Sequence, residues 1–187
     1  MSQTVNYKII LLGSGSVGKS AIAAQYVKNM FLKKYEPTIE DISNKTIEVD
    51  GIMVHLEIFD TAGADQFLTM QDLYIKEGDG FILVFSWASV GTFQELEKIL
   101  QHVIDVKESM KQTDIPIVIA GNKCDLEEDQ KTVTMVDAQD FATNKKCMFM
   151  ETSAKTTKNI SEMFELLAKK LLEKRKPMKK SHHCTLL

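Results

Sequence analysis

The chain has 187 residues, 44% of them apolar, with nine glycines and three prolines, which fits one folded domain and excludes a low-complexity or fibrous chain. No run reaches 18 consecutive apolar residues, and the opening residues MSQTVNYK lack a charged-then-apolar pattern, so neither a membrane span nor a secretory signal is expected. The net charge of −3 divides unevenly: residues 169–187 hold seven basic groups against Glu173, a balance of +6 that leaves −9 for the rest. Such an acidic body argues against nucleic acid as a partner, while the basic end suits an anionic surface. Cys124, Cys147 and Cys184 show neither metal-ligand nor disulfide spacing, as in a reducing compartment. Arg175 is the only arginine.

In chain order, residues 7–12 (YKIILL) form a buried-strand run that ends in a Gly-rich segment, and a helix is predicted from Lys19. Residues 42–49 and 52–59 flank Asp50-Gly51, which predicts an antiparallel hairpin. Residues 80–85 (GFILVF), 115–120 (IPIVIA) and 147–151 supply three further strands. Helical stretches lie between them near 66–77, 92–110 and 136–145. A last helix carries Ile160, Met163, Phe164, Leu167 and Leu171 on one face and should end after Lys176-Pro177. The alternation predicts a three-layer α/β domain over residues 1–174, with a six-stranded, mostly parallel sheet and one antiparallel strand pair. Residues 175–187 are expected to form a disordered polybasic tail.

The Gly-rich segment reads Gly13-Ser14-Gly15-Ser16-Val17-Gly18-Lys19-Ser20, followed by Ala21, and matches G-x-x-x-x-G-K-[ST]. Glycines let backbone N–H groups wrap closely around phosphate oxygens, and the following helix adds its positive end. Lys19 would reach the β- and γ-phosphates, and Ser20 would ligate Mg²⁺. A flexible Gly-Ser turn would match this pattern in about one percent of chains of this length, and the strand-before, helix-after placement makes chance rarer still.

Asp60, in Asp60-Thr61-Ala62-Gly63, ends a predicted strand on the same sheet edge and is placed to hold Mg²⁺ through water. Alone it would be a turn residue. Asn122-Lys123-Cys124-Asp125 follows the fifth strand: one carboxylate, Asp125, can accept both donors on guanine's edge, which adenine lacks. Asn122 can tie the loop and reach the purine, and the Lys123 stem can cover the ring. As an isolated tetrapeptide it reads equally well as a capped turn. In Glu151-Thr152-Ser153-Ala154-Lys155, the Ala154 N–H could donate to guanine O6.

These four motifs, in this order and spacing, resemble Ras-type small GTPases of the P-loop NTPase class from Tyr7 to about Leu172. The resemblance implies GTP or GDP with Mg²⁺ as ligands, with Ser153 and Lys155 completing the base site and Phe31 bracing the guanine. It makes residues 35–41 the switch I and effector loop, where Thr38 binds Mg²⁺ and the γ-phosphate and Tyr35 closes over the phosphates. Gly63, at the start of switch II, would donate to the γ-phosphate, so its loss releases both loops. Exchange factors, GTPase-activating proteins and effectors binding Lys33 to Asp41 are the implied partners, with the protein acting as a monomer. Within the family the chain is most similar to the Rap branch, from Leu12-Gly13-Ser14-Gly15, Lys34 before Tyr35, Asp65-Gln66-Phe67 and a Cys-x-Leu-Leu end.

Two departures stand out. Ala64 occupies the place of the glutamine that positions the attacking water, and Gln66, two residues on, is not assumed to replace it. Rap proteins typically carry threonine there. An arginine finger contributes on the order of 10³–10⁵ in rate, and the only arginine lies at the tail's start. Catalysis therefore rests on Thr38, Gly63 and Lys19, and slow unaided hydrolysis is expected, with a Rap-type activating protein supplying an asparagine. Ser16, usually glycine in the family, is the second departure. Gly15 keeps room beside the γ-phosphate.

Cys184-Thr185-Leu186-Leu187 fits C-a-a-X and predicts geranylgeranylation of Cys184. One lipid anchors marginally, so the lysines, each contributing about 1 kcal/mol near an anionic leaflet, are the second signal. The expected location is the cytoplasmic face of a plasma membrane or endomembrane. Trp87, the ten methionines, His102, His182 and His183 are read as packing or solvated residues. Two competing functions are a GTP-loaded scaffold that barely hydrolyses and a P-loop kinase; a single arginine and the guanine motif disfavour the latter.

Overall fold

The computed structural model describes residues 4–31, 40–61 and 68–175. Six strands form one sheet: β1 (Val5–Leu12), β2 (Glu40–Val49), β3 (Ile52–Thr61), β4 (Gly80–Ser86), β5 (Ile117–Asn122) and β6 (Met148–Glu151), in the order β2-β3-β1-β4-β5-β6. Only the β2–β3 pair is antiparallel. The reason is the turn predicted from Asp50-Gly51: both residues have positive φ (50° and 78°), and Val49 pairs with Ile52 across it. That backbone matches strand twist and needs residues tolerant of left-handed conformation.

Six helices cover the sheet: α1 (Lys19–Lys28), α2 (Leu68–Glu77), α3 (Val90–Gln94), α4 (Leu96–Ser109), α5 (Met135–Asn144) and α6 (Ile160–Arg175). A parallel central strand is buried on both faces, which is why β1 reads as an unbroken apolar run. Ile9 and Leu11 face one core with Ile22, Tyr26, Phe164 and Leu167; Ile10 and Leu12 face the other with Ile75, Leu96, Leu100 and Val103. All five residues of the predicted α6 face are buried, and Tyr26 stacks on Phe164 at 3.9 Å between ring centroids.

Several boundaries differ from expectation by one or two residues, and some show their cause. β5 starts at Ile117 because Pro116 has no N–H for the ladder; its carbonyl accepts from the Phe81 N–H at 3.1 Å instead. The helix expected over 92–110 begins earlier and is two helices, α3 and α4, that meet at Glu95. Glu95 itself keeps right-handed helical dihedrals, and Leu96 beyond it is fully buried. α5 starts at Met135 because the Thr134 hydroxyl accepts the Asp137 N–H at 3.1 Å, satisfying an end-of-helix donor.

α2 is tied to α4 by a buried amine. Lys107, 2% exposed, donates to the carbonyls of Lys76 (3.0 Å) and Gly78 (2.6 Å) and lies 5.6 Å from the Phe81 ring centroid. It thus caps the carbonyl end of α2 from another helix, where a cation is also favoured by the dipole. Burial pulls the Lys107 amine below the usual lysine value of 10.5, aided by Lys174 and opposed by Asp79. Unfolding takes up protons in that interval, so this group's contribution to stability rises as pH climbs from its folded value to 10.5. Lys107→Met keeps the stem but strands two carbonyls, and urea denaturation should show a loss of about 1–3 kcal/mol.

Candidate functional site

All the parallel strands point their carboxyl ends at one sheet edge, the edge where ligands of open α/β sheets bind. β1 runs directly into residues 13–20. Gly13 (φ 144°) has no room for a side chain: a Cβ would stand 2.2 Å from the Val84 carbonyl oxygen. Gly18 (φ 104°) is equally constrained, since a Cβ would meet the Asn122 amide at 2.3 Å. The pattern's glycines therefore let the loop press against β4 and β5. Gly15 has nothing within 4 Å of its missing Cβ and is open to solvent.

Lys19 opens α1 and is 6% exposed. Its ammonium donates to the loop's own carbonyls, Gly13 O at 2.7 Å and Ser14 O at 2.9 Å. Burial lowers its pKa to about 8, with Asp60 opposing the fall. A cation held inside a loop whose inner backbone can donate is a receptor for phosphate oxygens. Val17 is fully buried behind the loop, while Ser20 and Ala21 begin the α1 turn.

Asp60 lies near the end of β3, 3% exposed, and Thr61 after it donates to Leu11 O at 2.7 Å, fixing the strand end against β1. A serine hydroxyl and a carboxylate are hard oxygen donors of the kind Mg²⁺ takes. Among the described residues no group of three or more His, Cys, Asp or Glu gathers around a metal site. Ser20 and Asp60 could thus hold Mg²⁺ together with phosphate and water oxygens, and the ion would supply charge neutralisation to the phosphates.

Asn122, at the end of β5 and 2% exposed, joins three segments. Its amide donates to Val17 O at 2.9 Å, and its carbonyl oxygen accepts from the Ala154 N–H at 3.3 Å and the Thr152 hydroxyl at 3.5 Å. Lys123, with φ 66°, donates to Ser16 O at 2.9 Å, so its stem crosses between base loop and phosphate loop. Asp125 accepts from the Ser153 hydroxyl at 2.6 Å and pairs with Lys155 at 3.4 Å. Partial burial works against its charge, but the hydrogen bonds from Ser153, its own backbone N–H and Lys155 outweigh this and hold the carboxyl below its usual 3.8. The result is an ionised acceptor fixed in direction, able to take two donors from one face of a purine.

The structure thus gathers the phosphate-loop, Asp60, Asn122–Asp125 and Ser153–Lys155 groups at one edge. Phe31, 42% exposed, follows the left-handed Asn29 cap of α1. Tyr35, Thr38, Gly63, Ala64 and Cys184 lie outside the described residues, as do most of the residues from Lys33 to Asp41 and the tail. Trp87, expected to be packing, is buried and also braces the site: its indole N–H donates to Gly121 O at 2.8 Å, and its backbone N–H to Asn122 O at 3.1 Å. Its position directly after β4 was the available signal. Glu95, which accepts the Ser14 hydroxyl, and Thr152 were not singled out; Glu95 is 81 residues from its partner, and no local pattern marks it.

Asn122→Ala should strand Val17 O and the Ala154 N–H in a buried place. Chemical denaturation is expected to show a loss of about 1–3 kcal/mol, and nucleotide affinity should fall with it because both loops lose their common tether.

A family model for Ras matches residues 8–173, which spans the phosphate loop, the base loops and nearly all of the sheet. Members of that family are GTPases that bind GTP or GDP with Mg²⁺ and work through exchange factors, activating proteins and effectors in general. The sheet order, the loop at residues 13–20 and the extent of that match agree: the chain belongs to the Ras family of small GTPases, with the P-loop NTPase fold.

Proposed function

We propose that this protein is a membrane-anchored signalling switch of the Rap branch, binding effectors in its GTP state and hydrolysing GTP very slowly unless an activating protein assists. The observation that carries the nucleotide part is the Asn122 side chain, which binds the phosphate loop and the Ala154 loop together, so triphosphate and base are held by one unit. Asp125, ionised and oriented by Ser153, supports guanine over adenine, and Ser20, Asp60 and Thr38 are the proposed Mg²⁺ ligands.

The timing part rests on residue chemistry. Ala64 stands where the family's catalytic glutamine is expected, and its methyl group cannot orient water. With Arg175 the only arginine, the domain has no charged finger to supply in cis. Thr38, Gly63 and Lys19 then act on the γ-phosphate without a residue to position the nucleophile, and the activating protein provides what is missing. The effector loop, from Lys33 to Asp41, leads into β2, whose position at the sheet edge suits strand addition by a partner. A GTP-loaded scaffold is the second reading, and Ala64 is the observation that favours it.

Single-turnover GTP hydrolysis by the purified protein should be slower than that of Ala64→Gln by at least about tenfold, in line with the role of a water-positioning glutamine. A wild-type rate equal to the variant's would refute slow timing, and failure of any activating protein to raise it would favour the scaffold.

The proposed anchor is a geranylgeranyl group on Cys184 beside the lysine-rich tail. Cell fractionation of Cys184→Ser should find the protein in the soluble fraction with nucleotide binding retained; continued membrane residence would count against the anchor.

A further inference from the structure

We infer that Glu95 is a positioning residue for the phosphate loop, holding the loop's tip through the Ser14 hydroxyl and so slowing the departure of bound nucleotide. The inference rests on the guanine-nucleotide reading above and names a residue that governs that site from outside it.

The loop is well fixed at its shoulders and poorly at its tip. Gly13 presses on Val84, and Val17 O is held by Asn122. Between them Gly15 and Ser16 are exposed. Among the described residues three side chains engage the tip: Lys19 on Gly13 O and Ser14 O, Lys123 on Ser16 O, and the Glu95 carboxylate, which accepts the Ser14 hydroxyl. The Lys19 ammonium is the group that phosphate oxygens would claim, and its hold on the loop carbonyls competes with them. Glu95 grips a side chain rather than the loop's inner backbone, and its contact survives loading.

Glu95 is suited to this by its place in the fold. It sits where α3 meets α4, with its N–H given to Gly91 O and its carbonyl accepting from the Lys98 and Ile99 N–H groups, all at 3.1 Å. Leu96, next in sequence, is fully buried and pins that junction to the core. Only two methylenes separate this fixed backbone from the carboxylate, so the tether is short. An acid near a site for several phosphate charges carries a Coulombic cost. A carboxylate here is explained by its role as acceptor, a charge-assisted bond being stronger than a neutral one. Removing the charge therefore has two opposed effects: it weakens the bond to Ser14 and relieves repulsion of the phosphates.

The test is release of N-methylanthraniloyl-GDP into excess GDP, with Mg²⁺ present, from the full chain and four variants. Glu95→Ala and Ser14→Ala should each release about three- to tenfold faster, and the double variant no faster than the quicker single, because both break one contact. Glu95→Gln keeps an acceptor but loses the charge assistance, so it should release more slowly than Glu95→Ala, a partial rescue that a general weakening of the helix junction would not give. Circular dichroism establishes that each variant folds, and Ser14→Ala, on an open loop, decides the matter alone if Glu95→Ala does not. Wild-type release rates in the alanine variants, multiplying effects in the double, or Glu95→Gln as fast as Glu95→Ala would each overturn the proposal while leaving the nucleotide reading intact. A wild-type protein that fails to bind the labelled GDP would overturn both.

Discussion

The Asn122 side chain is the point on which the site's geometry depends. It leaves the end of β5 and reaches backward 105 residues to Val17 O and forward 32 residues to the Ala154 N–H. Both partners are backbone groups of loops, and both would be costly to leave unpaired in so buried a place. The Cβ space forbidden at Gly18 is occupied by this same amide, so the glycine and the asparagine explain each other. Trp87 and Gly121 then brace the strand end from the other side.

Charge is arranged around that frame to receive an anion. Lys19 is buried among carbonyl oxygens that only partly replace water, which is why its proton is held less tightly than in solution. A phosphate group would restore what burial removed, so the site favours polyanions. Asp60 and Asp125 do not cancel this in the proposed reading, where Asp60 shares the cation; Asp125 is held by Ser153 and Lys155.

The same sheet connects the site to segments farther off. β2 begins at Glu40, β3 ends at Thr61 and α2 begins at Leu68, so described elements flank the two proposed switch segments. α2 is held from behind by Lys107 and by the pairing of Asp72 with His102 at 2.6 Å, both reaching across from α4. The pair is about 40% exposed on each side and adds little by itself, whereas the buried Lys107 amine satisfies two helix-end carbonyls.

The sequence by itself determined what is local. Alternating apolar runs set the layers, Asp50-Gly51 set the one antiparallel pair, and the glycine pattern before Lys19 set the phosphate loop, because each rests on backbone rules spanning a few residues. The order of the four motifs placed their groups on one edge, since parallel strands share their carboxyl ends. Tertiary structure alone decided the links between them: Asn122 to Val17, Lys123 to Ser16, Ser14 to Glu95 and Lys107 to the end of α2. It also decided the break at Glu95, whereas the later start of β5 was legible in Pro116. Each of those links depends on which strands are neighbours and in what register, and apolar periodicity carries no information about either.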